Sequence, residues 1–441
     1  MNHHAPRRRS AGPLSACLAL ALSAVTSGCH SLAPSPDWLG VNTHWLAHTN
    51  SPAAGRTIDL GDDLALLETL HIRHVRAPLM NWEAVESTPG ARPDFAAPDR
   101  VIRQAQGAGI NLVAVCATFP AWARTNEGLP DVDRIERFAE FVSRFVARYD
   151  GNGWRDMTGL RRPILHYELA FDLLRLEPEA YAVWAEAFAA AVKKSAPQAK
   201  VILGGLVNPG LDPCEPGGRS GPDDFARLAD TIVAAHGPDV PFDAVSFSCF
   251  PLQCLPIPDP FNTATGFLRK VMADRGFDRP LWLSGYGQNV NQTAPEQQAT
   301  NLVKWTLVAR TMQVERMYIH ALAEVEPPGR PRGAYGLTYR VMDDHAPIKR
   351  KAFETVAVLA EQLSRQQIVT YHRPGVYMLT GRQEPTYVVW EPDVYTPPRL
   401  DLSGWWEVRR LDGRSAVLPG REIQAGPKPI YLQTAASPFR R

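Results

Sequence analysis

Between Leu39 and Leu363 one pattern repeats eight times: a short apolar run, then a longer stretch with helical spacing. The apolar runs are Leu39–Thr43, His71–Arg76, Asn111–Cys116, Ile164–Glu168, Lys200–Gly204, Ala244–Ser248, Leu281–Ser284 and Met317–Ala321. Runs this short and this aliphatic or aromatic belong to parallel strands covered on both faces. The helical stretches cover Asp62–Thr69, Pro98–Ala108, Val132–Tyr149, Pro178–Ser195, Asp223–His236, Asn262–Arg275, Glu296–Thr311 and Lys349–Leu363. Asp131 stands at the N-cap of one helix, and Pro178 opens another. Eight strand–helix units predict an α/β chain folded as a (β/α)₈ TIM barrel over residues 37–365. A doubly wound sheet is the alternative, but it does not need eight evenly spaced units.

After Gln366 the texture changes. Val369–Pro385, Tyr387–Trp390, Trp405–Arg409 and Ile430–Gln433 read as short strands between Pro/Gly turns. Residues 366–441 are therefore expected to form a small β-rich, β-sandwich-like module.

The first 28 residues read as a targeting segment. Arg7, Arg8 and Arg9 precede the apolar stretch Leu14–Val25, which is short for a membrane span. Thr26-Ser27-Gly28-Cys29 follows and resembles a bacterial lipoprotein cleavage box, with Thr26 where Leu is usual. The resemblance implies export, a lipid on Cys29 and a membrane anchor. His30 stands where an Asp would favour inner-membrane retention, which implies the outer membrane. The other reading is a plain secretory signal with an incidental Cys29. Residues 29–36 are the tether. Removing residues 1–28 takes away three arginines and no acid, so the formal charge moves from +1 to −2. A chain so nearly neutral gives no reason to expect a nucleic-acid partner.

Export to an oxidising compartment permits disulfides. Cys214 and Cys254 are the first pairing expected, Cys249 with Cys254 the rival, and Cys116 reads as a buried thiol. No spacing reads as a metal site, and no cofactor is implied.

Several short motifs occur in a telling order. Val75-Arg76 is followed by Trp82, Glu86, Pro89 and Gly90. Phe119-Pro120-Ala121-Trp122-Ala123 follows the third strand, and Asp243-Ala244-Val245-Ser246-Phe247 makes the sixth. Leu281-Trp282-Leu283-Ser284-Gly285-Tyr286-Gly287 makes the seventh, and Tyr335-Gly336-Leu337 precedes Ala346-Pro347-Ile348-Lys349. Together they resemble clan A glycoside hydrolases, families 39 and 5 in particular, over roughly residues 38–435. The resemblance implies a sugar-binding cleft at the C-terminal ends of the strands, and a carbohydrate partner.

The catalytic positions depart from that family. Retaining glycosidases use two carboxyl groups roughly 5–5.5 Å apart. The family's nucleophile position is Gly285 here, and its Asn-Glu acid/base pair is Phe171-Asp172. The Tyr that steadies the nucleophile is Phe250, and the eighth strand ends in His320-Ala321-Leu322 without the floor Trp. Asp172 is the candidate acid, with Glu324 and Glu326 as possible second acids or plain loop residues. Glu86 matches a position that is usually structural. Arg76 is read either as half of a structural pair with Glu168 or as a ligand for an anionic sugar. Trp45, Trp82, Trp122 and Tyr286 are candidates for stacking on sugar rings, or else for rim packing. Gln288 and Asn289 are candidate hydroxyl partners. Three functions follow: a glycan-binding envelope lipoprotein with lost or altered hydrolysis, an active glycosidase using Asp172, or an envelope scaffold.

Overall fold

The computed structural model describes residues 36–45, 60–170, 176–211, 222–250, 260–325, 334–341, 346–391 and 402–437. Eight parallel strands close a barrel in chain order. They are β1 (Leu39–Asn42), β2 (His74–Ala77), β3 (Asn111–Cys116), β4 (His166–Leu169), β5 (Lys200–Val207), β6 (Ala244–Cys249), β7 (Leu281–Tyr286) and β8 (Arg316–Ile319). The helices are α1 (Gly61–Thr69), α2 (Trp82–Val85), α3 (Ala96–Gly107), α4 (Ile135–Tyr149), α5 (Pro178–Ser195), α6 (Pro222–His236), α7 (Pro260–Asp274), α8 (Pro295–Thr311) and α9 (Lys351–Arg365). The chain is a TIM barrel, as the eightfold pattern predicts.

Local chemistry sets the boundaries. Asp131 accepts the N–H of Asp133 and opens a 3₁₀ turn that leads into α4, so the predicted helix at Val132 begins three residues later as α. Pro178 occupies the first turn of α5, where its missing N–H costs nothing. The second strand starts at His74 rather than His71, because His71 takes φ 53° to close α1. Alternation along each strand sends one set of side chains outward to the helices and the other into the barrel. Val113, Ile202, Ala244, Trp282 and Tyr318 fill the middle of the interior as a separate buried cluster.

Beyond β8 a small sheet forms from β9 (Ala323–Val325), β10 (Thr338–Arg340) and β11 (Ile348–Lys349), which the sequence reading did not anticipate. The last strands are β12 (Ile368–Arg373), β13 (Val376–Thr380), β14 (Thr386–Val389), β15 (Trp405–Arg409), β16 (Ser415–Pro419) and β17 (Ile430–Ala435). They form one antiparallel sheet, ordered β12-β13-β14-β17-β15-β16. The expected β-rich module is present, built as a single antiparallel sheet rather than two layers among the described residues. One face joins the barrel's own core through Tyr377, Leu379, Val388, Trp390 and Tyr431, so no second sheet is needed to cover it.

Charged contacts reinforce this seam. Arg409 donates to Glu361 Oε1 at 3.0 Å and to Oε2 at 2.5 Å, joining β15 to α9. The Arg409 hydrogen bonds hold the Glu361 carboxyl below its ordinary range, and Arg365 and His71 add to the shift. A depressed folded-state pKa stabilises fully above the unfolded value of about 4.3 and is lost as pH falls through the folded value. Arg409→Leu is therefore expected to cost roughly 1–2 kcal/mol at pH 7, and the difference should shrink towards pH 3. Urea unfolding of parent and variant across that range checks it.

Candidate functional site

The upper interior of the barrel is built around one ion pair. Arg76, on β2, donates through Nε to Glu168 Oε2 at 2.6 Å and through Nη2 to Oε1 at 2.9 Å. Glu168, on β4, is fully buried and also accepts the Ser246 hydroxyl at 2.6 Å. Two parallel bonds from a guanidinium to a carboxylate are the strongest form this pair takes. The arrangement needs an empty position on β5. A Cβ on Gly204 would lie 2.5 Å from Glu168 Oε1 and 2.8 Å from the Leu169 carbonyl oxygen.

From this pair hydrogen bonds run around the barrel. Arg76 Nη1 donates to Asn42 Oδ1 at 3.1 Å, and Asn42 Nδ2 donates to the Ser284 carbonyl at 2.7 Å. The hydroxyls of Ser284 and Ser248 lie 3.1 Å apart. Asn42, Ser246, Ser248 and Ser284 were not singled out from the sequence. Their signal was available: small polar residues at alternate positions in otherwise apolar strands.

Gly285 sits beside this network, opposite Ser248 in the β6–β7 register. A Cβ there would lie 3.1 Å from Ser248 Oγ and 3.3 Å from Phe250 Cζ. The space where a side chain would start is thus already lined by a phenyl edge and a hydroxyl. Phe250 is itself fixed, its N–H donating to Asn208 Oδ1 at 2.7 Å. Its ring meets His320 and Tyr335 edge-on, both at 5.3 Å, and His320 meets His44 at 5.7 Å. Burial pushes His320 down to about 3, with His44 and Arg76 adding to the shift. The imidazole is therefore neutral at physiological pH and offers hydrogen bonding without charge. This cluster of His44, Phe250, His320 and Tyr335 is the aromatic wall of the mouth.

The aromatic candidates divide by burial. Trp82 is fully buried and stacks on Phe141 at 5.6 Å, its Nε1 donating to Glu86, so it is core and presents no face to a sugar. Tyr286 is likewise corrected. It follows the inward Gly285, so it points outward, is fully buried and pairs its hydroxyl with Thr306 on α8 at 2.7 Å. Trp45 is 8% exposed and donates to Asp63 Oδ2 at 2.8 Å, which draws its ring into the core. Gln288 is drawn to α8, accepting from Asn301 at 2.7 Å through its side chain and from Gln298 through its carbonyl. Trp122 is half-buried, with its Nε1 on the Glu86 carbonyl at 3.1 Å, and alone among these aromatics keeps part of its ring in reach of solvent.

The acids divide similarly. Glu86 accepts from Trp82 Nε1 and the Gly90 N–H, a structural role. Glu324 accepts the Gly336 N–H at 2.8 Å, which ties it to the loop before β10. Asp172, Glu326, Cys29, Cys214 and Cys254 lie outside the described residues. Cys116 is buried in β3, and burial pushes its thiol up. Among the described residues no group of His, Cys, Asp and Glu is arranged to hold a metal ion.

No protein-family model and no curated protein matches this sequence. Solved structures do. A family 39 glycoside hydrolase from Bacteroides cellulosilyticus WH2 superposes with TM-score 0.68 at 17% identity, over 91% of this chain and 81% of that one. A glucosidase from Croceicoccus marinus gives 0.60 at 17%, over 90% and 95%. A family 30 endoxylanase from Clostridium papyrosolvens C71 gives 0.54 at 12%, over 92% and 98%. The chain therefore has the barrel-plus-β-module fold of these glycoside hydrolases.

The central pair generates a stability prediction. Glu168→Gln leaves the Arg76 charge uncompensated and is expected to cost roughly 3–5 kcal/mol. The double replacement Arg76→Met/Glu168→Leu should cost less than Glu168→Gln alone, because no buried charge is stranded. A double-mutant cycle by urea unfolding checks both.

Proposed function

We propose that this chain is an exported, lipid-anchored envelope protein that binds a polysaccharide or oligosaccharide in its barrel mouth and does not hydrolyse it by double displacement. The observation that carries this reading is the surround of Gly285. The strand end that would present a nucleophile has no side chain, and the adjoining space is occupied by Phe250 and Ser248. Double displacement needs two free carboxyl groups facing one sugar. Glu168 is committed to Arg76 and Ser246, and Glu324 to the Gly336 N–H.

Binding is supported by what remains. The mouth offers neutral polar groups and aromatic edges: His44, Ser248, Phe250, His320, Tyr335 and the partly open Trp122. Hydroxyl hydrogen bonds and contact between C–H groups and aromatic faces are the chemistry by which sugars are held. Arg76 is balanced by Glu168, so a neutral glycan suits these groups better than a uronate. The three enzymes named above, each described by its action on glycans, make carbohydrate the leading ligand class. The Cys29 box and the Arg-rich start support export and lipidation, with outer-membrane anchoring following from His30.

The test is product release and binding on a panel of neutral and uronic-acid polysaccharides, using residues 30–441. The expected outcome is micromolar binding to a neutral glycan, no release, and weaker binding for Trp122→Ala. Release that disappears in Asp172→Asn would overturn the reading and make Asp172 the acid of an altered mechanism. Absence of both binding and release would leave the envelope scaffold. Gly285→Glu is expected to restore no activity and to lower stability by about 1–3 kcal/mol, because its Cβ displaces Phe250 or Ser248. Thermal melts and the same release assay read both effects.

A further inference from the structure

The barrel has a second distinctive face, at the N-terminal ends of the strands and opposite the mouth. The loop between α4 and β4 lies there by topology, and its Trp154 is 69% exposed, the most exposed large apolar side chain among the described residues. The loop presenting it is fixed rather than frayed. Asp156 accepts the N–H groups of Gly151 and Gly153, and Asn152 Oδ1 accepts the Trp154 N–H at 2.6 Å. The Arg155 guanidinium lies 5.8 Å from the indole centroid. Arg161, Arg162, Leu165 and Lys200 are exposed on the same face.

The chain also runs into the fold at this face. Asp37 lies 3.2 Å from His74 Nε2, and His74 lies 3.3 Å from Asn111 Nδ2. Asn111 Oδ1 accepts from Arg162 Nη1 at 3.0 Å. The point of arrival and the arginines thus belong to one contiguous surface. Seven residues, 30–36, separate Cys29 from the first strand's approach, a reach of at most about 25 Å when fully extended.

We propose that this face rests on an anionic lipid surface, with Trp154 seated at the interface and Arg155, Arg161 and Arg162 on lipid phosphates. Indole prefers the boundary between apolar and wet layers, and guanidinium forks match phosphate oxygens. Asp37, Asp150, Asp156 and Asp243 are the nearby acids, and Arg155, Arg161, Arg162 and Lys200 outnumber the first three. Asp243 is neutralised by Lys193 at 2.8 Å, so the surface keeps an excess of positive charge. Among the described residues no helix is long and apolar enough to cross a membrane, so the contact is peripheral. The barrel mouth then faces away from the bilayer, open to a long glycan. The short-tether argument rests on the lipidation reading, whereas the Trp–Arg surface stands without it.

Co-sedimentation of residues 30–441 with vesicles tests the proposal, since the compact unit begins at Ala33. Vesicles of phosphatidylglycerol and phosphatidylethanolamine are compared with phosphatidylcholine alone. Binding to the anionic vesicles only, weakening with salt, is expected. Arg161→Gln/Arg162→Gln should weaken it roughly 25-fold, about five-fold for each cation removed. Trp154→Ser should weaken it further without changing the melting temperature, and Trp122→Phe at the mouth should leave it unchanged. No sedimentation at low salt, or equal sedimentation of parent and variants, would overturn the proposal. So would binding of a soluble polyanion, lost in the same variants, without vesicle binding. The acyl mass on Cys29 of the full chain is measured separately. A mature chain without that mass that still sediments sinks the lipidation reading alone, and an acylated protein whose soluble form ignores vesicles sinks this one.

Discussion

The barrel's upper interior depends on the pairing of Arg76 with Glu168. A guanidinium placed among apolar walls is tolerable only with a carboxylate against it, and that carboxylate needs its remaining lone pairs filled. Ser246 fills one, and Gly204 provides the room. Asn42 passes the network on to β7 through the Ser284 carbonyl. Five strands, β1, β2, β4, β6 and β7, are thereby tied by polar contacts in the upper interior of the barrel. The pair serves the scaffold first, and any effect on a ligand comes through the neutral groups arranged around it.

Above that level the mouth is lined by aromatic and neutral polar side chains. Gly285 carries no side chain, and the ring of Phe250 stands against it. His320 sits beside that ring and is held neutral by burial. Such a site is suited to recognising hydroxyls and C–H faces, and poorly suited to stabilising a positively charged transition state. The proposal of binding without turnover rests on this chemistry of the site and not on the fold, which by itself implies no function.

The two ends of the barrel differ in chemistry. The mouth is neutral and aromatic. The opposite end carries the arriving chain, several arginines and an exposed indole on a braced loop. The β-module closes one side of the barrel through a shared core and the Arg409–Glu361 bonds, so it belongs to the folded unit rather than to a flexible appendage.

The sequence by itself determined the eight strand–helix units, their caps and the bare position at Gly285. These are local features: strand and helix periods, turn residues and a motif with one residue missing. It also held the Arg76–Glu168 pair as an open alternative. Only the tertiary structure decided which side chains reach the mouth. Trp82 and Tyr286 sit next to site positions in sequence and point the other way in space, because consecutive strand residues face opposite sides and a rim helix can turn its ring into the core. Trp45 and Gln288 were drawn aside by Asp63 and Asn301, residues from other segments whose proximity no local pattern encodes. The wall of His44, Phe250, His320 and Tyr335 comes from four separate stretches of chain. It exists only because closing the barrel brings β1 against β8 and β6 against β7.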